Sequence, residues 1–157
     1  MNLHFLSRKV GKALIKRKQT LVTAESCTGG WVAQAVTSVA GSSDWFERGY
    51  VTYSNAAKRE ELGVAVRMLQ RHGAVSEPTA RAMARGALRN GKGTLALAIT
   101  GVAGPTGGTP RKPVGTVCFA WAGGRKIRSE TRLFRGGRQS VRRQSVIHAL
   151  NGVLQWL

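Results

Sequence analysis

From Leu95 to Ile99 the segment Thr94-Leu-Ala-Leu-Ala-Ile99 carries only apolar side chains, so in an extended conformation it presents apolar groups to both faces. A strand of that kind belongs inside a sheet covered on both sides. A helix pattern precedes it: Ser76 is suited to the N-cap, Pro78 to the first turn, and Ala80, Met83, Ala84, Ala87 and Leu88 form a buried stripe. A glycine- and proline-rich loop, Thr100 to Pro113, follows it. Helix, doubly buried strand and loop in this order predict an α/β domain. With the elements below, the expected architecture is a three-layer α/β/α sandwich around a central mixed sheet.

Leu3, Leu6, Val10, Ala13 and Leu14 recur at helical spacing, with Arg8, Lys9, Lys12, Lys16, Arg17 and Lys18 largely on the other faces. Leu21 to Ala24 reads as a short strand, and Thr28-Gly29-Gly30 leads into a helix with Val32, Ala35, Val36 and Val39 that Gly41 closes. Ser26 thus falls at a strand-to-helix junction. Val51 to Tyr53 reads as the second strand, and the helix after it carries Lys58, Glu60, Glu61 and Leu62. Val114 to Ala122 and Lys126 to Phe134 form a hairpin through Gly123-Gly124, and Arg138 to Leu157 is a final amphipathic helix.

The chain has 157 residues, enough for one core, and shows no linker or repeat, so a single domain over 1–157 is expected. Two cysteines, Cys27 and Cys118, and no signal pattern predict a reducing cytoplasm. No apolar run approaches the roughly 20 residues that span a bilayer, so no membrane partner is expected. The 25 Lys and Arg outnumber seven Asp and Glu, giving a net charge of +18. Such a field attracts nucleic acid nonspecifically, draws in small phosphorylated molecules, or simply maintains solubility. Oligomeric state stays open, a homo-oligomer included.

Gly86-Ala-Leu-Arg-Asn-Gly91-Lys92-Gly93 approaches a phosphate-loop pattern, but Gly93 stands where Ser or Thr would hold magnesium, and the stretch ends a helix instead of opening one. His4, His72 and His148 are scattered, so neither a metal site nor any other cofactor is expected. Asp44 is the only aspartate, and Glu60 and Glu61 read as a solvated helix face. A serine nucleophile in this chain is better served by lysine than by histidine and aspartate.

Ala24-Glu25-Ser26-Cys27-Thr28-Gly29-Gly30 sets a hydroxyl and a thiol before a helix, beside glycines that allow close approach to the backbone. Free N–H groups at the helix start would stabilise an oxyanion. The same string also fits an ordinary helix start capped by Ser26 or Thr28. Cys27 is the rival nucleophile, with a small packing role as its other reading; Cys118, in an apolar run, reads as core.

These motifs, with Ala40-Gly41-Ser42-Ser43, Tyr53-Ser54-Asn55-Ala-Ala-Lys58, Gly73-Ala74-Val75-Ser76 and Thr100-Gly101-Val102-Ala103-Gly104-Pro105-Thr106-Gly107-Gly108, resemble the CinA C-terminal family from about Leu6 to the end of the chain. The resemblance implies a stand-alone amidase that converts nicotinamide mononucleotide to nicotinate mononucleotide and ammonia in pyridine-nucleotide salvage. It implies Ser26 as nucleophile, Lys58 as base and Tyr53 as a site tyrosine. Cys27, Thr28, Gly29, Gly30, Thr100, Gly101 and Arg142 would bind the substrate, although Arg138 and Arg143 compete with Arg142 for its place. Lys58 accepts a proton only when neutral, which requires a depressed pKa; burial or neighbouring cations such as Arg59 would supply it. Loop amides and the two threonine hydroxyls between Thr100 and Gly108 would receive the phosphate. The alternative is a basic nucleic-acid-binding or interaction protein on the same fold with weak or lost catalysis.

Overall fold

The computed structural model describes residues 1–157. Its elements are α1 (Leu3–Lys16), β1 (Leu21–Glu25), α2 (Trp31–Thr37), β2 (Phe46–Val51), α3 (Asn55–Leu62), α4 (Val66–His72), α5 (Glu77–Asn90), β3 (Leu95–Gly101), β4 (Thr116–Gly123), β5 (Lys126–Leu133) and α6 (Arg138–Trp156), with a 3-10 turn at Ser42–Asp44. The sheet runs β2-β1-β3-β4-β5. β1 is parallel to both neighbours, while β3, β4 and β5 are successively antiparallel, so the sheet is mixed as expected.

Side chains alternate across the sheet and build two cores. Leu21, Leu95, Leu97, Ile99, Val117, Phe119 and Trp121 face α1, α2 and α6. Ala24, Ala96, Ala98, Ala120 and Ala122 face the other way, against Ala80, Met83, Ala84 and Ala87 of α5. The first face is bulky; the second is mostly alanine on both sides, with Met83 the large exception. Packing between helices is close, because a Cβ on Gly86 would overlap the carbonyl oxygen of Leu62 at the end of α3. Arg89 and Asn90 also donate to the carbonyls of Leu62 and Glu61 at 3.3 and 2.8 Å. The helix that carries Lys58 is thereby fixed on α5.

Two readings require correction. The second strand is Phe46–Val51, not Val51 to Tyr53. As an edge strand with a half-exposed, charged sequence, Phe-Glu-Arg-Gly-Tyr-Val, it lacks the apolar signal of the inner strands. Gly49 is required there because a Cβ would press on Thr23 Oγ1. α2 also ends at Thr37, short of Val39, and α4 was not foreseen: its seven residues bury only Leu69. Gly91 caps α5 at the entry to β3, as the inverted phosphate-loop context implied. No helix is long and apolar enough to cross a membrane.

Candidate active site

The parallel strands β1, β2 and β3 end side by side, with Glu25 paired to both Val51 and Ile99. Ligands in open α/β sheets bind at such strand ends. Ser26 continues the ladder by one bond, its N–H donating to Ile99 O at 3.0 Å, and the chain then turns through Thr28, Gly29 and Gly30 into α2. Gly29 and Gly30 have φ of 61° and 95°, a left-handed backbone that suits glycine.

Lys58 reaches this turn from α3, whose start is capped by Ser54 Oγ accepting from Ala57 N. Its side chain is 1% exposed. Nζ lies 2.9 Å from Ser26 Oγ, 2.9 Å from Thr52 O and 3.0 Å from Tyr53 O. Carbonyl oxygens only accept, so two N–H bonds are committed to them. The third corner of the nitrogen faces Ser26 Oγ: it donates when lysine is charged and offers a lone pair when lysine is neutral. Burial lowers the Lys58 pKa to about 8. Arg59 is exposed and has no part in that shift, so desolvation supplies the effect that neighbouring cations were expected to share.

Cys27 sits in the core against α2 and α6. Burial, with a smaller push from Glu25, raises its thiol pKa to about 12, which keeps it protonated near neutrality. The thiol is therefore a packing group, and only the Cys27 backbone is available to a substrate. Tyr53 is not in a strand; its ring is exposed, and its hydroxyl accepts from Arg138 Nη2 at 3.3 Å. Arg138 also donates to Gly104 O at 2.8 Å, tying the tyrosine to the glycine-rich loop.

The three arginines of α6 differ in their contacts. Arg142 donates through Nε to Cys27 O and through Nη2 to Thr28 O, both at 3.1 Å, with its guanidinium 5.3 Å from the Trp31 ring centre. Arg143 points elsewhere, to Met1 O. Because a trans peptide sets C=O and N–H in opposite directions, the grip on Cys27 O aims the Thr28 N–H away from Arg142. The amides of Cys27 and Thr28, the two residues after Ser26, donate no hydrogen bond within the chain. The α2 amides expected to serve an oxyanion are already occupied. Val32 N and Ala33 N donate to the Glu25 carboxylate at 2.9 and 3.1 Å, an interaction the sequence pattern did not reveal.

Thr100 is buried and its hydroxyl donates to Ala74 O at 2.8 Å, so it fastens the loop before α5 instead of standing free. Gly101 lies where a Cβ would meet Thr116 O and Val117. Of the loop's two threonines up to Gly108, only Thr106 is exposed. Nowhere do three His, Cys, Asp or Glu side chains converge.

The CinA C-terminal domain family profile matches residues 3–157. The chain is 52% identical to the nicotinamide-nucleotide amidohydrolase PncC of Pseudomonas putida over 96% of this chain and 94% of that protein. It is 53% identical to the protein of the same name from Escherichia coli strain K12, over 96% and 92%. A crystal structure of a CinA superfamily protein from Klebsiella pneumoniae superposes with a TM-score of 0.96 at 39% identity, covering 99% of this chain and 97% of that one.

Proposed function

Since the chain belongs to the CinA C-terminal domain family, we infer that it is a nicotinamide-nucleotide amidohydrolase that works through Ser26 and Lys58 in pyridine-nucleotide salvage. The observation that carries the mechanism is the buried Lys58 nitrogen 2.9 Å from Ser26 Oγ, with its two other polar contacts made to carbonyls.

Neutral Lys58 takes the Ser26 proton as Oγ attacks the carboxamide carbon. The amides of Cys27 and Thr28 receive the developing oxyanion. Collapse breaks the C–N bond, the Lys58 ammonium returns its proton to the departing nitrogen, and ammonia leaves an ester on Ser26. Water then attacks that ester with Lys58 again as base, releasing the nicotinate nucleotide and restoring the serine. Arg138 and the Tyr53 hydroxyl form the exposed polar side of this site and suit the anionic part of a nucleotide. Arg142, bound to two carbonyls, holds the turn.

Incubation with nicotinamide mononucleotide, following ammonia and nicotinate mononucleotide, tests the reading with Ser26→Ala as control. Absence of both products from the intact protein would reject it.

The charge favours a second property. Of the 25 Lys and Arg, only Arg48 and Arg132 lie within 4.0 Å of a carboxylate. Nonspecific nucleic-acid binding should follow from counterion release, with affinity falling steeply as salt rises and no sequence preference.

A further inference from the structure

Glu25 is fully buried immediately before the nucleophile. One carboxylate oxygen accepts from Thr28 Oγ1 at 2.6 Å and Val32 N at 2.9 Å; the other accepts from Ala33 N at 3.1 Å. The N-cap of α2 is Gly30, which has no side chain to do this. The cap therefore comes from upstream and closes a ring of bonds through the Ser26 turn. The Glu25 backbone also reaches the base: its carbonyl accepts from Thr52 N at 2.9 Å, and Thr52 O accepts from Lys58 Nζ. On the outer side Arg142 grips Cys27 O and Thr28 O. One residue thus joins the segments that present nucleophile and base.

We propose that Glu25 is a positioning residue for the reaction: its carboxylate, bound to Thr28 and the first amides of α2, locks the 26–30 turn so that Ser26 Oγ stays directed at Lys58 Nζ. The proposal rests on the serine-lysine reading above. Position 30, at φ 95°, is held by glycine, so the capping acceptor for α2 has to come from another residue. Here burial raises the Glu25 pKa despite its hydrogen bonds, so the charged cap is less favourable than a solvated carboxylate. Cys27 of the turn, Lys58 of α3 and Arg142 of α6 are the titratable or charged groups around the turn, and none bonds to the carboxylate. The lowered Lys58 pKa arises from burial, not from Glu25.

The test is the second-order rate at which diisopropyl fluorophosphate labels Ser26 across pH, with the adduct located by mass spectrometry. Glu25→Gln sets an amide N–H against an amide donor and should slow labelling by about 10- to 100-fold. The apparent pKa of the reaction should stay where Lys58 sets it, and one adduct per chain should still form at completion. With nicotinamide mononucleotide the same variant should lose kcat at unchanged KM. Glu25→Asp, one methylene shorter, should recover part of the rate. Thr28→Val removes one bond to the carboxylate while leaving the helix cap, so it should lose severalfold, and it serves as the test if Glu25→Gln does not fold. Wild-type labelling rates in the folded variants, or a loss matched by an equal loss of reactive sites, would overturn the proposal. Failure of wild-type Ser26 to react would instead reject the serine-lysine reading itself.

Discussion

Lys58 Nζ contacts Ser26 Oγ at 2.9 Å across 32 residues of sequence, and no carboxylate pairs with that buried amine. Burial lowers the pKa of a lysine held this way to about 8, and most of the expected behaviour follows from that shift and that contact.

Ser26→Ala and Lys58→Met should each lower kcat by about 1,000-fold or more, and the double variant should be little worse than either, because neither group works without the other. Cys27→Ala should keep most activity, since the thiol is protonated in the core. Steady-state kinetics on the four proteins checks this; abolition of turnover by Cys27→Ala with Ser26→Ala active would replace serine by thiol chemistry.

Activity should rise with pH to a plateau above about 8 as Lys58 loses its proton. In Lys58→Met the residual activity should show no such limb. A log kcat/KM profile on both proteins reads the difference directly.

The same group should carry a stability signature. A lysine pKa depressed from 10.5 to about 8 disfavours the folded state below pH 8, and that penalty fades as pH rises towards 10.5. It is on the order of 3 kcal/mol, partly offset by the bonds to Thr52 O and Tyr53 O. Lys58→Met should therefore be at least as stable as the parent at pH 7, with its relative advantage shrinking above pH 8. Denaturant midpoints at pH 7 and pH 10 test the sign.

Gly86→Ala should act at a distance. The new Cβ would overlap Leu62 O, pushing α3 and Lys58 with it. Overpacking of this kind costs about 1–3 kcal/mol, and kcat should fall along with stability. Thermal melts and kinetics on the purified variant settle whether both move.

Arg138→Ala should raise KM for the nucleotide more than for nicotinamide riboside, because Arg138 stands on the exposed side with Tyr53. Arg143→Ala, whose guanidinium turns to Met1 O, should leave both nearly unchanged. Equal effects of Arg138→Ala on the two substrates would remove it from phosphate recognition.

Local chemistry was readable in the chain because it is local. Apolar β3 and β4, the Ser76 cap of α5, the glycine end at Gly91, and the Ser26 turn with its two glycines all depend on nearest neighbours. The edge strand β2 and the short α4 lacked that signal: one has a single partner strand, and the other buries one side chain. What only the tertiary structure decided concerns long-range contacts and burial. Both Lys58 and Arg59 could be read from the sequence as helix cations, yet the fold buries one and exposes the other, and burial is what lowers the Lys58 pKa. Likewise Arg138, Arg142 and Arg143 crowd six positions of one helix, whose turn of 3.6 residues sends them in different directions. Glu25 looked like a neighbour of the nucleophile; only the fold brings the α2 amides back to its carboxylate. Spacing along a chain reports periodicity, whereas desolvation and the direction of a side chain are set by what folds over it.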